Sequence, residues 1–310
     1  MESMTLTASD GHPVACYVWR CTNPSVTGIV QIAHGMGEHA RRYDWVAQQL
    51  NAAGYHVVAN DHRGHGATVA TADGAKLWGW MGGDGWNRTL SDLYEINCWA
   101  RNEFQQEIVL LGHSMGAMLA QQYITRFGDS IKGLALSGSP GFKSTFAMWL
   151  TRLFAHVEAV RHGEDANSDL LQNMLFGGAN KPFDDTPGAT GFEWLSRDPE
   201  QVQLYLNDEA CGAVLTTGSL LDMSYGTGKG QNPHCLGKVP QGLPIYVFSG
   251  TDDPIHSERK DIHRMLQKFY DAGLHNITVQ WYDGGRHEVF NETNRDAVVR
   301  DLVVFLDGIS

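Results

Sequence analysis

The sequence has few cysteines, no excess of basic residues and no long apolar run. Its five cysteines are scattered and lack Cys-X-X-Cys spacing, so neither a disulfide framework nor a zinc site is expected. No stretch approaches the ~18 consecutive apolar residues of a membrane-spanning helix. The N-terminus also lacks the basic flank and apolar segment of a signal peptide. A soluble, cytoplasmic protein is therefore expected.

Composition narrows the class of protein further. The chain has 310 residues, of which 42% are hydrophobic and 19% charged, which is typical of a folded globular protein rather than a disordered one. The 23 basic residues are outnumbered by 35 acidic residues, giving a formal net charge of −12. Such a charge repels phosphate backbones, so no nucleic-acid partner is expected.

Short apolar segments alternate with helical patterns along most of the chain, which predicts a mostly parallel, doubly wound α/β sheet. A final helix is predicted to open at Thr293, with Asp296 three residues later. The predicted strands are 28–33, 55–59, 108–111, 134–136, 245–248 and 277–282, and a helix is predicted over 115–127.

The alternation is interrupted in the middle of the chain. Residues 141–242 are predicted to form a cap inserted into a core made of residues 1–140 and 243–310. The cap begins with an apolar helical segment over 142–157, and a glycine-rich run at 226–230 is interpreted as a flexible return to the core.

A Gly-X-Ser-X-Gly motif, Gly112–Gly116, directly follows the predicted strand at 108–111 and opens a helix. Strand, sharp turn and helix are the setting of a nucleophile elbow, in which the serine hydroxyl stands clear of the sheet. Ser114 is therefore the candidate nucleophile. The alternative is an ordinary glycine-rich turn with a capping serine.

A serine nucleophile needs a histidine base and a carboxylate that orients it, and in this type of fold both follow the serine along the chain. His287 follows the strand at 277–282 and is the candidate base. Two aspartates follow the strand at 245–248. Asp253 is favoured because Pro254 fixes the turn after it, and Asp252 is the alternative.

Backbone amides are expected to stabilise the oxyanion that forms on the substrate carbonyl. Met115, directly after the nucleophile, is one candidate donor. Met36, flanked by Gly35 and Gly37 after the strand at 28–33, is the other.

Five motifs together resemble the monoacylglycerol lipase and lysophospholipase group of α/β-hydrolases. They are His34–His39 followed by Arg42 and Tyr43, then Asp61–Gly66, Gly112–Gly116, Gly250–Pro254 and Gly285–Glu288. The resemblance spans nearly the whole chain and implies an eight-stranded sheet with a helical cap after strand six and no cofactor. It also implies Ser114, Asp253 and His287 as the triad, with oxyanion donors at Met36 and Met115. Phe290 stands where some lipases of the group have a second histidine near the glycerol end.

Substrate contacts are expected from four further residues. Glu38 and Arg42 are candidates for a polar rim at the glycerol end, with solvated charges as the alternative. Phe146 and Trp149, on the apolar cap segment, are candidates for an acyl tunnel. The same segment could instead rest transiently on lipid, with Lys143, Arg152 and Arg161 at the headgroups, or simply pack onto the core.

No metal site is expected, because His34, His39, His62 and His65 lie on loops without the spacing of a zinc motif. The sequence therefore predicts a serine hydrolase of carboxylic esters with an acyl chain. A short-acyl carboxylesterase, a thioesterase and an aminopeptidase-like amidase remain as alternatives. A non-catalytic ligand-binding protein is a more distant alternative. The sequence predicts no particular oligomeric state.

Overall fold

An eight-stranded sheet forms the centre of the computed structural model, which describes residues 1–185 and 188–309. Its strands run across the sheet in the order β1-β2-β4-β3-β5-β6-β7-β8. Only the pairs β1–β2 and β2–β4 are antiparallel, so the predicted mostly parallel sheet is confirmed. The strands are β1 Glu2–Thr7, β2 Pro13–Trp19, β3 Gly28–Ala33, β4 Tyr55–Asn60, β5 Ile108–His113, β6 Gly133–Ser137, β7 Ile245–Gly250 and β8 Ile277–Tyr282.

Helices cover both faces of the sheet. Because side chains alternate along a strand, Leu110 and Leu111 of β5 belong to opposite hydrophobic clusters. Helices α2 and α3 pack on the side of Leu110, and α1 and α10 on the side of Leu111. The flanking helices are α1 Asp44–Ala52, α2 Gly85–Phe104, α3 Met115–Phe127, α9 Lys260–Asp271 and α10 Arg295–Gly308.

Five helices lie between β6 and β7, where the cap was expected. They are α4 Thr145–His162, α5 Asp169–Phe176, α6 Pro199–Leu206, α7 Thr217–Gly230 and α8 Pro233–Leu236. The division of the chain at residues 141 and 242 stays a prediction. Within the described residues, no helix is long and apolar enough to cross a membrane.

Two helix predictions were wrong in detail. The last helix begins at Arg295, with Asn294 in the N-cap position, rather than opening at Thr293. The run 226–230 is not a flexible return but the last turn of α7. A Cβ at Gly226 would overlap the indole of Trp86, so this glycine permits close packing of α7 on α2.

Candidate active site

Ser114 occupies a strained turn between β5 and α3, as the nucleophile-elbow motif predicts. Its φ of 51° and ψ of −113° lie in a region that non-glycine residues rarely adopt. The turn is possible because its flanking glycines have no side chains. A Cβ at Gly116 would overlap the carbonyl oxygen of Ala33, and one at Gly112 would overlap the backbone of Gly116.

His287 and Asp253 form a buried hydrogen-bonded pair at the same edge of the sheet. His287 Nδ1 lies 3.0 Å from Asp253 Oδ2, and both residues are 2% exposed. Asp253 also accepts hydrogen bonds from Ser249 Oγ and Ile255 N, which fix its carboxylate. Asp252 is exposed and accepts from Thr251 Oγ1 instead. Of the two aspartates, the structure places Asp253 against the histidine.

The electrostatics of this pair suit a base that is held in one orientation. Burial lowers the pKa of His287, but the Asp253 carboxylate and its hydrogen bond outweigh burial and hold that pKa above its usual value. Burial raises the pKa of Asp253, yet the His287 charge and hydrogen bonds bring it down to about 2. With Asp253 ionised, Nδ1 of a neutral His287 carries the proton, which leaves Nε2 free to accept one.

Ser114 and His287 line one cavity of about 200 Å³ at the carboxyl ends of the strands. Among the described residues, Ser114 Oγ and His287 are not hydrogen-bonded to each other. Hydrogen bonds between a nucleophile and its base often tighten only when substrate is bound. The two side chains therefore line the same cavity but are not hydrogen-bonded to each other.

Met36 lies on the loop after β3 and Met115 directly follows Ser114, the two positions that were predicted to carry oxyanion donors. Met36 lines the cavity, and Met115 is the first residue of α3. The first amides of a helix have no intrahelical acceptor and lie at its positive end. Neither the Met36 nor the Met115 amide donates a hydrogen bond to another described residue, so both are free to bind an anionic oxygen.

Glu38 and Arg42 form an ion pair in which only 5% of the Glu38 side chain and 12% of the Arg42 side chain are exposed, which corrects the alternative that they are solvated charges. Glu38 is 4% exposed and lines the cavity. Arg42 Nη1 donates to Glu38 Oε2 at 2.8 Å, and the same guanidinium donates to both oxygens of Glu288. Arg42 is not among the described residues that line the cavity.

Phe146 and Trp149 do not reach the cavity. Their rings stack on each other at the surface of α4, where the residues are 68% and 56% exposed. The aromatic wall comes instead from four residues further along the chain, Phe176, Phe192, Trp194 and Tyr205. Sequence analysis missed these four, because they lie in a segment without helical or strand periodicity except at its two ends.

The segment between β6 and β7 is joined directly to the loop that carries the candidate base. The backbone amides of His287 and Glu288 donate to the carbonyl oxygens of Trp194 and Leu195. The indole of Trp194 lies 5.1 Å from the His287 ring. One wall of the cavity is therefore fixed relative to the candidate base, His287.

One group of metal-capable side chains occurs among the described residues, outside this cavity. Ligand atoms of His39, Asp208 and Cys211 lie within 4.8 Å of one another. His39 Nε2 already bonds to Asp208 Oδ2 at 2.9 Å. Burial raises the pKa of the Cys211 thiol to about 12, which disfavours the thiolate that a metal would require.

Comparisons with known proteins agree with this architecture. The family model described as "Hydrolase_4: Serine aminopeptidase, S33" matches residues 24–294. A monoacylglycerol lipase of Mycolicibacterium smegmatis is 26% identical over 287 residues, covering 90% of this chain and 88% of the relative. The monoglyceride lipase of Mus musculus is 30% identical over 219 residues, covering 66% of this chain and 58% of that protein.

A solved structure of a thermostable carboxyl esterase from Bacillus coagulans, in complex with glycerol, aligns with a TM-score of 0.88. It is 26% identical in sequence, and the alignment covers 99% of this chain and 98% of the esterase. A monoglyceride lipase from Saccharomyces cerevisiae aligns with a TM-score of 0.76 at 19% identity, covering 100% and 95%. This second likeness supports the fold alone.

Proposed function

Because this chain belongs to the Hydrolase_4 (serine aminopeptidase, S33) family of hydrolases, we propose that it is a serine hydrolase of carboxylic esters, acting on monoacylglycerols or lysophospholipids. The observation that carries the proposal is the buried His287–Asp253 pair on the same cavity as Ser114. The relatives described as monoacylglycerol lipases support the substrate class.

The proposed reaction begins when Ser114 Oγ attacks the ester carbonyl carbon and gives its proton to His287 Nε2. Asp253 holds the imidazole through Nδ1 and stabilises its charged form. The Met36 and Met115 amides bind the oxygen that becomes negative. His287 then protonates the leaving alcohol, and the acyl group stays on Ser114 until water, deprotonated by the same histidine, releases the acid.

Labelling with a fluorophosphonate, together with hydrolysis of p-nitrophenyl butyrate and 1-monooleoylglycerol, tests this proposal. We expect the wild type to be labelled and active, and Ser114→Ala to lose both labelling and turnover with an unchanged circular dichroism spectrum. Ser25→Ala, on the exposed loop before β3, is the matched control and should behave as the wild type. Ester hydrolysis that persists in Ser114→Ala would refute the proposed nucleophile.

A short-acyl carboxylesterase is the second candidate, and the size of the cavity favours it. Its volume of about 200 Å³ is below the roughly 300–1,000 Å³ of typical small-molecule pockets. A series of p-nitrophenyl esters from acetate to palmitate separates the candidates. A maximum in kcat/KM at short chains supports the carboxylesterase, and Phe176→Ala should then move the maximum to longer chains because it removes a ring from the cavity wall. Preferential cleavage of an acyl-CoA or an aminoacyl anilide would contradict both.

Transient contact with a lipid surface is a further part of this proposal. Helix α4 exposes five apolar residues on one face, at the three- and four-residue spacing of a single helical stripe. They are Phe146, Trp149, Leu153, Val157 and Val160. The opposite face is buried at Ala155. The three nearby basic residues are all engaged within the protein, since Lys143 donates to Asp261, Arg152 to the carbonyl of Ser224 and Arg161 to Glu158.

Binding through this stripe should therefore depend on apolar contact more than on charge. Co-sedimentation with phosphatidylcholine vesicles containing monoacylglycerol should detect the wild type, and the amount bound should change little with salt. The double variant Phe146→Ser/Trp149→Ser should bind less. Val304→Ser, at an exposed apolar residue of α10, is the control. Equal sedimentation of both variants would argue against the contact.

A further inference from the structure

A buried cluster of charged residues, Glu38, Arg42 and Glu288, connects the two loops that carry the candidate oxyanion donor and base. Arg42 Nη1 lies 2.8 Å from Glu38 Oε2 and 2.7 Å from Glu288 Oε1. Arg42 Nη2 lies 2.8 Å from Glu288 Oε2. Arg42 and Glu288 thus form a bidentate pair between residues 246 positions apart in the sequence.

On one side, the cluster holds the loop that contains Met36. Glu38 Oε1 accepts the backbone amide of Gly35 at 2.6 Å and the hydroxyl of Tyr43 at 2.9 Å. The amide of Gly35 is only one residue before that of Met36. A displacement of the Glu38 carboxylate would therefore move the candidate oxyanion donor.

On the other side, the cluster holds the loop that contains the base, since Glu288 directly follows His287. The Glu288 carboxylate accepts hydrogen bonds from Arg42 and from Asn291 Nδ2. The cap also reaches the cluster, because the Tyr205 ring lies with its centroid 4.9 Å from Arg42 Cζ.

The three charges depend on each other because Glu38 and Glu288 are buried and only 12% of the Arg42 side chain is exposed. Burial alone would raise the pKa of Glu38, but the neighbouring Arg42 charge and histidines hold it at about 2. The pKa of Glu288 is likewise lowered, against burial, by Arg42. Both glutamates therefore stay ionised, and a charged group between them is needed to balance them.

We propose that Arg42, clamped between Glu38 and Glu288, is a positioning residue that fixes the Met36 loop and the His287 loop relative to each other. This inference rests on the proposed function, since it concerns the same catalytic cavity. It differs from a role in binding the glycerol end of the substrate. Substitution of a positioning residue lowers kcat. Loss of a substrate contact that is equally strong in the ground and transition states raises KM instead.

Steady-state hydrolysis of p-nitrophenyl butyrate by full-length Arg42→Met and Arg42→Lys variants tests the inference. Concentrations are normalised by fluorophosphonate titration, so that inactive or unfolded protein does not count. We expect kcat of Arg42→Met to fall roughly 10- to 100-fold, as small misplacements of catalytic groups do, with KM within about 3-fold. Arg42→Lys should recover part of the loss. Arg41→Met, at the exposed neighbour, is the control and should match the wild type.

The pH profile gives a readout that a purely structural role would not move. The charged or titratable groups around His287 include Asp253, Glu288, Glu38 and His113. Loss of the Arg42 charge should raise the pKa of the base and shift the acid limb of kcat/KM upward. Glu288→Gln removes a negative charge beside the base and should shift the limb downward.

If Arg42→Met does not fold, the neutral triple variant Glu38→Gln/Arg42→Met/Glu288→Gln decides the question through the same loss of kcat, and Arg42→Lys through a smaller loss. Wild-type kcat in the folded variants, or a loss confined to KM, would overturn the inference. An inactive and unlabelled wild type would instead refute the proposed function, so the two failures are distinguishable.

Discussion

Acidification from pH 7 to pH 5 is expected to destabilise the protein, because four histidines are buried as neutral rings next to the candidate site. Burial, which is the largest cause, lowers the pKa of His34, His65 and His113 to about 4. It lowers the pKa of the fourth, His62, well below its usual value.

Hydrogen bonding shows why protonation is resisted at His34. Its Nδ1 lies 2.7 Å from the carbonyl oxygen of Gly35, so Nδ1 carries the proton, and its Nε2 accepts the backbone amide of His62 at 2.9 Å. A second proton on Nε2 would face another N–H group. The Nε2 atoms of His62 and His65 are buried without a hydrogen-bond partner, so a charge there would be unsolvated.

The magnitude follows from linkage between protonation and folding. As the pH falls, the unfolded chain binds these protons at a higher pH than the folded protein does. The stabilisation of the folded state by the neutral rings is therefore complete above the unfolded pKa near 6.5 and is lost as the pH falls towards 4. A ring with a folded pKa near 4 loses about 2 kcal/mol of unfolding free energy between pH 7 and pH 5. The three rings with a folded pKa near 4 together lose about 6 kcal/mol on this arithmetic, and the raised pKa of His287 acts in the opposite direction, so the net loss is expected to be several kcal/mol.

Urea denaturation at pH 7, 6 and 5 measures this loss directly. His65→Asn is the informative variant, because its amide can still donate to the carbonyl of Arg63, 3.0 Å from Nδ1 in the wild type, but cannot take up a proton. The difference in unfolding free energy between pH 7 and pH 5 should shrink by about 2 kcal/mol. His234→Asn, at an exposed histidine, should not change it. Equal stability at pH 7 and pH 5, or an unchanged dependence in His65→Asn, would show that the reasoning is wrong.

Three further outcomes are expected at the candidate site. The kcat/KM profile for p-nitrophenyl butyrate should have an acid limb above the usual histidine pKa of about 6.5, because Asp253 raises the pKa of His287; a limb below that value would contradict the assignment. Asp253→Asn should lower kcat by roughly 10⁴-fold while Asp252→Asn leaves it within a few fold, and the reverse result would exchange the two aspartates. Gly116→Ala should lower the unfolding free energy in urea by about 1–3 kcal/mol, because the new methyl group overlaps the backbone of β3; wild-type stability would show that the elbow can relax.

Much of the fold could be predicted because short apolar segments and helical periodicity indicate most of its strands and helices. The strands β3 and β8 have the predicted bounds, and β5 extends the predicted strand by two residues. The first two strands were not identified from the residues themselves. In β1 the residues are alternately exposed and half-buried, so this edge strand has little of the apolar signal that marks a central one.

The candidate catalytic residues could be predicted because the carboxyl ends of parallel strands lie at the same edge of the sheet. Ser114 follows β5, Asp253 follows β7 and His287 follows β8, and each was located from its strand and from motif spacing. The walls of the cavity could not be predicted in this way. Trp194 reaches the site because its carbonyl accepts the His287 amide, a contact across 93 residues that no local pattern encodes.

The loop that carries Met36 is fixed from two directions by different chemistry. Beneath it, the neutral His34 ring bonds to Gly35 O and to the His62 amide. Behind it, the ionised Glu38 carboxylate bonds to the Gly35 amide. These supports respond to acid over different ranges, since the pKa of His34 in the folded protein is about 4 whereas that of Glu38 is about 2. Mild acid should therefore loosen the loop from the histidine side first, while the Arg42 clamp still holds.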